Sequence, residues 1–279
     1  MSTTTTAPAG TRPAISPLKQ LLRLTRTEFT LFVRYKTAWM FLGLPVFLAV
    51  VTLQMPNDEV LPGFGMADMT MVASIGTITL ILGMGHPSNV FTARRESLVL
   101  KRLRVSGVPQ AVIFGAVTAI VILFSLALAA LVAALVFAAS GALPRDPLML
   151  LVAVLLSGVM YSLMGLLVTP LVRNAEAAQM AVMVPMMILL FAGGGVIPLE
   201  FLPEAARQAM TLVPSTSVST LVQAAYTGHD VFTGFAGAEE RSYPGLWAAA
   251  LPSLGAVLAW TAVMGLLVRR YFRWDPRQP

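Results

Sequence analysis

Residues Ala111–Ser140 read AVIFGAVTAIVILFSLALAALVAALVFAAS, thirty positions without an Asp, Glu, Lys or Arg. A helix rises about 1.5 Å per residue and the hydrocarbon core of a bilayer is about 30 Å thick, so about 20 such residues suffice to cross it. This stretch is long enough to cross with tilt or to extend beyond the bilayer. Uncharged runs on either side give spans at 37–55, 69–86, 111–140, 148–172, 177–198 and 246–268, of which the second is the shortest and least apolar. The expected fold is therefore an all-α membrane protein with six transmembrane helices.

Composition agrees. Of 279 residues, 57% are hydrophobic and 11% charged, and the mean hydropathy is +0.78, far from an ordinary soluble domain. The chain has no cysteine, which excludes disulfides, thiol nucleophiles and thiolate metal sites. Its net charge of +6 raises the question of nucleic acid, but the charges fall between the apolar runs. Of 19 Lys and Arg, sixteen lie in the N-terminal arm, the second and fourth connections and the tail; only Arg145, Arg207 and Arg241 lie on the other side. By the positive-inside rule both termini are cytoplasmic. The basic balance is thus membrane sorting; no nucleic-acid partner is expected.

Ahead of the first span, residues 1–15 form a Thr-, Ala- and Pro-rich tail read as disordered, without the pattern of a cleaved signal peptide. Ser16 and Pro17 then look like an N-cap and first helical position. Leu18, Leu21, Leu22, Thr25, Phe29, Phe32 and Val33 recur at helical spacing, with Lys19, Arg23, Arg26 and Arg34 largely off that face. Residues 16–36 therefore read as an amphipathic helix in the cytoplasmic interface, its cations near anionic lipid headgroups; the alternative is a soluble helix packed on another domain.

No Asp, Glu, Lys or Arg lies inside any span as drawn. Ionisable groups at membrane depth mark proton and ion pathways, so a secondary transporter or channel is disfavoured. The chain also lacks a GxxxxGK[ST] loop, so ATP is not expected to bind it. Small or hydroxyl residues form two stripes: Gly158, Ser162, Gly165 and Thr169 on the fourth span, and Thr70, Ser74 and Thr77 on the second. Both read as close helix packing; the second reads alternatively as a translocation path or subunit interface. Met180, Met183, Met186 and Met187 of the fifth span read as core packing or as an adaptable apolar surface.

The second connection, NVFTARRESLVLKRLRVSGVPQ from Asn89 to Gln110, reads as a basic cytoplasmic helix over about 90–106. Val99, Leu100 and Leu103 can pack while Arg94, Arg95, Lys101, Arg102 and Arg104 mostly project; Ser106, Gly107 and Pro109 stop it. Such a helix is a handle for a cytoplasmic protein, or simply a positive-inside loop. Between the fifth and sixth spans, residues 199–245 are too long for a turn, and carry the helix-like pieces EAARQAM and STLVQAAY interrupted by Pro203 and Pro214. That pattern fits a re-entrant outer hairpin, since broken backbone at membrane depth is tolerated only inside protein. His86 and His229 are isolated from one another and make no metal site. Ser215, Ser217 and Ser219 beside His229 read as a solvated hydroxyl-rich loop rather than a catalytic pair.

The stretch Arg94–Pro109 (RRESLVLKRLRVSGVP) resembles the membrane-spanning subunits of type 2 ABC exporters, among them drug-resistance and lipid or polysaccharide export permeases. LVRNAEAA (171–178), FAGGGVIP, LEFLP and LVP (212–214) are similar to that family's fifth span and the short re-entrant helices after it. The resemblance covers residues 16–270, a single transmembrane domain before a cytoplasmic tail at 271–279. It implies that Arg94, Arg95, Glu96, Lys101, Arg102 and Arg104 form a surface that docks on a separate ABC ATPase, which binds the ATP and Mg. It implies a second permease chain, identical or paralogous, and an outer gate at Gly193, Gly194, Gly195, Pro198, Glu200, Pro203 and Pro214. One departure is visible: the family often has Gly after the acid, where this chain has Ser97 and Leu98. The expected function is export of an amphiphilic cargo (a drug, lipid or lipid-linked glycan) across the cytoplasmic membrane. The alternatives are a transporter or channel not coupled to ATP and a noncatalytic scaffold; no enzymatic chemistry is expected.

Overall fold

The computed structural model describes residues 16–34, several positions between 43 and 54, residues 58–193, 210, and 213–274 except 233 and 236. The tail at 1–15, most of the span at 37–55, most of EAARQAM, and Gly194, Gly195, Pro198, Glu200 and Pro203 lie outside the described residues. The described helices are α1 (Pro17–Arg34), α2 (Met66–Glu96), α3 (Val99–Val105), α4 (Gln110–Ser140), α5 (Pro147–Val168, extended by a 3-10 turn at Thr169–Leu171), α6 (Ala175–Ala192), α7 (Pro214–Thr227) and α8 (Tyr243–Tyr271). A short antiparallel hairpin of β1 (Glu59–Leu61) and β2 (Phe64–Gly65), which the sequence reading does not contain, leads into α2.

Among the described residues five helices are long and apolar enough to cross a membrane: α2, α4, α5 with its extension, α6 and α8. The chain is an all-α membrane protein in this respect. Helix starts follow the local chemistry. Ser16 Oγ accepts from Lys19 N at 3.4 Å, as an N-cap should. Asp146 caps α5 by accepting from Met149 N at 2.8 Å, with Pro147 in the first turn. Asn174 caps α6 through Ala177 N at 2.8 Å.

The least apolar span lies at the centre of the bundle. α2 packs against α4, α5, α6 and α7, and it buries Ser74, Thr79, Ser88 and Thr92 together with its apolar residues. Ser74, Thr79 and Ser88 donate to carbonyls of their own helix, at Met71, Ile75 and Gly85, which lowers the cost of burying them. The peripheral helices are the more apolar ones, or, like α6 and α8, bury little of their surface in the chain.

The small-residue stripe of α5 is packing. A Cβ on Gly165 would come within 2.5 Å of Met84 O on α2, and one on Gly158 within 3.0 Å of Ile122 Cγ1 on α4. Ser162 donates to Gly158 O at 2.7 Å and Thr169 to Leu166 O at 2.7 Å. From the other side, a Cβ on Gly83 of α2 would lie 2.6 Å from Tyr161 Cβ. The α2 and α5 backbones therefore approach as closely as small residues allow. The methionine face of α6 is not core in this chain: Met180, Met183 and Met187 are exposed and Met186 is partly buried. The buried residues of α6 are only Ala178 and Val182, so its large side chains are left for lipid or another chain.

A methyl group at Gly165 has no free volume to enter, because its nearest neighbour is backbone. Gly165→Ala is expected to lower stability by about 1–3 kcal/mol. Gly85→Ala, two residues from the α2 crossing, meets nothing within 4 Å and should be neutral or stabilising by up to about 1 kcal/mol. Thermal unfolding of the two purified variants in detergent checks this; equal melting temperatures would contradict the packing account.

Candidate functional site

At the basic end the expected helix over 90–106 is two pieces. The first belongs to α2, which runs on to Glu96; Ser97 and Leu98 turn the chain; α3 is the remainder. The reason lies in Arg94 and Arg95, which do not project. Arg95 is 1% exposed, and its Nη1 and Nη2 donate to Thr169 O and Val172 O at the end of α5. A guanidinium there satisfies helix-end carbonyls and the negative end of the α5 dipole together. Arg94 Nη2 donates to both carboxylate oxygens of Glu28, at 2.5 and 2.6 Å. Glu28 is buried on α1, where it is the one acid in a basic helix. That isolated acid is the signal by which the pair could have been found in the sequence.

From Glu96 onward the charged residues do face outward. Glu96, Lys101, Arg102 and Arg104 are exposed, as is Val105 at 82%. Leu98 has φ +59°, the only non-glycine residue with positive φ among the described residues. Beneath, Leu100 is fully buried in a cluster with Phe91, Ile113, Val117, Leu166 and Val268. Leu103 and Val108 pack on it. α3 ends in a Schellman arrangement, Gly107 N bonding Arg104 O and Val108 N bonding Leu103 O, with Gly107 at φ +75°.

The tail adds rings that the sequence reading missed. Phe114 of α4 lies 5.3 Å from Phe91, 5.0 Å from Phe272 and 5.4 Å from Trp274, centroid to centroid. Arg104 sits over the Trp274 ring at 5.7 Å. α3 is thus an exposed polar ridge seated by Leu100 on α2, α4, α5 and α8.

At the other end α7 is buried along almost its whole length and packs against α2, α5, α6 and α8. Ser215, Ser217 and Ser219 are therefore not in a solvated loop: they lie on α7 and are buried. The helix tolerates this because several of its hydroxyls bond backbone carbonyls. Thr216 Oγ1 donates to Ala192 O at 2.7 Å, joining α7 to the end of α6, and Thr220 donates to Thr216 O at 3.1 Å. His229 is also buried, its Nδ1 3.0 Å from Thr227 O. Pro214 begins α7, and a Cβ on Gly193 would lie 3.1 Å from Ser215 Cβ.

Of the second-span stripe, Thr70 donates to Met66 O at 2.8 Å and Ser74 to Met71 O. Thr77 lines a small pocket with Tyr161, Gly193, Ser215 and Ser219, of about the size of one water molecule. Ser215 Oγ there is buried without a hydrogen-bond partner among the described residues. Asp146 links the elements at this end: it accepts from Trp247 Nε1 at 2.7 Å, while its own N–H donates to Ala225 O. Tyr226 OH donates to Ala142 O at 3.1 Å; burial, and then the charge of Asp68, pushes its pKa up to about 12, so it keeps its proton. No cluster of three or more His, Cys, Asp or Glu able to hold a metal occurs among the described residues.

A family model for ABC-2 family transporter proteins matches residues 48–270. No curated protein matches the chain.

Arg95→Met leaves two helix-end carbonyls without their charged donor, so it should destabilise the chain by about 1.5–3 kcal/mol. Arg102→Gln, on the exposed ridge, should stay within about 0.5 kcal/mol of the parent. Leu98→Gly removes a left-handed side chain whose cost is about 1–2 kcal/mol and should leave the melting temperature equal or higher. Melting curves of the three variants separate these outcomes.

Proposed function

The chain belongs to the ABC-2 family of transporter proteins and is a multi-pass ABC-type permease, and from that premise we propose that it is the transmembrane half of an ATP-driven exporter. Membership of the family implies an ABC ATPase partner. In this reading Glu96, Lys101, Arg102 and Arg104 are the surface on which that ATPase docks. The observation that carries it is the construction of α3: charged residues on the outside, and Leu100 on the inside, seated in a cluster shared with α2, α4, α5 and α8. A surface ridge so seated transmits a push instead of bending.

ATP binding in the partner displaces α3. The displacement reaches α5 through the bonds of Arg95 to Thr169 and Val172, and α8 through Leu100 and the rings around Phe272. At the far end α7 with its Ser/Thr face, Gly193 and Pro214 is the gate, one arm of a re-entrant hairpin whose other residues include Gly194, Gly195, Pro198, Glu200 and Pro203. Nucleotide shifts the population between inward-open and closed states of this path. Thr70, Ser74 and Thr77 bound the path or a subunit interface, and the spans as drawn carry no Asp, Glu, Lys or Arg, so the cargo is amphiphilic and weakly charged: a drug, lipid or lipid-linked glycan. The working unit is two permease chains with two ATPases, each permease with six spans, the first at 37–55, and both termini in the cytoplasm of a cell whose cytoplasmic membrane it occupies.

The test is co-expression with a neighbouring-frame ATPase carrying a GxxxxGK[ST] loop, followed by reconstitution in vesicles. Glu96→Ala with Arg102→Ala, both exposed, should leave the permease folded. The pair should weaken assembly by roughly tenfold or more and abolish cargo-stimulated ATP hydrolysis. Assembly and hydrolysis both at parental levels would show that the ridge is not the docking surface.

A further inference from the structure

α1 divides into three sectors around its axis. Glu28 and Phe32 are buried against the protein, with Phe32 4.3 Å from Phe124 of α4 and Leu21 within reach of Gly115. Next to that sector, at helical spacing, Leu18, Leu22 and Phe29 are exposed, Leu18 at 66%. Beyond them Lys19, Arg23, Arg26 and Arg34 are exposed on one strip. Among the described residues no carboxylate lies within ion-pair distance of Lys19, Arg23 or Arg26. Apolar residues that face out next to a cationic strip fit the boundary between acyl chains and anionic headgroups.

What the geometry adds is the link behind this helix. The one acid of α1 is on the protein side and holds both oxygens on Arg94, which lies two residues before Glu96 and the turn into α3. Its neighbour Arg95 holds the end of α5. α1 is thereby joined, through a largely buried ion pair, to the base of the exposed ridge. We infer that α1 is an anionic-lipid sensor: phosphate-bearing anionic lipids of the facing leaflet hold Lys19, Arg23 and Arg26, and the Glu28–Arg94 pair passes that hold to α3. Anionic lipid then stiffens the ridge, and loss of anionic lipid loosens it. The effect on α3 is independent of what docks there; only its consequence for transport rests on the exporter reading.

The experiment is hydrogen exchange on the full chain, without any ATPase, in vesicles of phosphatidylcholine alone and of phosphatidylcholine mixed with phosphatidylglycerol. In the mixed vesicles the amides of α1 should exchange more slowly by roughly tenfold or more, and those of α3 should slow with them. Lys19→Gln with Arg23→Gln and Arg26→Gln should remove both responses. Glu28→Gln should keep the α1 response and lose that of α3, and Glu28→Arg with Arg94→Glu should restore it. Equal α1 exchange on the two vesicles would overturn lipid recognition. An α3 response that persists in Glu28→Gln, or that the reversed pair does not restore, would overturn the link. None of these results depends on the docking test above, so either reading can fail alone.

Discussion

The Arg95 guanidinium, buried at the end of α2, donates to Thr169 O and Val172 O where α5 ends. A cation with no exposure has to be hydrogen-bonded, since an unpaired buried charge costs several kcal/mol, and here backbone carbonyls supply the partners. The position of α2 along α5 is thereby set at this end. Further along, Gly83 against Tyr161 and Gly165 against Met84 set the separation. With α2 so held, α3 has little freedom: a two-residue turn separates them, and Leu100 drops into the cluster beside Phe91. The polar second span can occupy the centre because Ser74, Thr79 and Ser88 bond their own helix and the buried Arg95 is held by carbonyls.

Much of this was legible in the sequence, and the reason is that lipid is a demanding solvent. Uncharged runs of sufficient length marked where α4, α5, α6 and α8 begin, and ordinary capping chemistry marked the start of α1 at Ser16, the end of α3 at Ser106 and Gly107, and the start of α4 at Pro109. The stripe at Gly158, Ser162, Gly165 and Thr169 was legible as packing because small residues at helical spacing have few other uses in a membrane.

Other features were hidden for physical reasons. Adjacent residues on a helix point about 100° apart, so a run such as Arg94-Arg95-Glu96 does not say which charge turns inward; only the partners Glu28 and Thr169, distant in sequence, decide it. α7 looks hydrophilic by composition, yet several of its hydroxyls are satisfied by carbonyls and the helix is buried. Hydropathy counts polar groups without counting their partners. The methionines of α6 look like core by type, but what they face is settled by the neighbours the chain places there, which are few.

The two ends of the molecule have different characters. One carries a rigid exposed ridge with aromatic packing beneath it; the other a buried hydroxyl-rich helix that touches α2, α5, α6 and α8. In the exporter proposed above, the first end is the surface to be pushed and the second the plug that responds. The account requires the ridge to face the cytoplasm, where an ATPase works. Since the chain has no cysteine, labelling with a membrane-impermeant thiol reagent tests this directly. Cysteine placed at Ser106 should react only after the cells are permeabilised, and cysteine at Glu240 in intact cells. Reaction of the Ser106 position in intact cells would contradict the account.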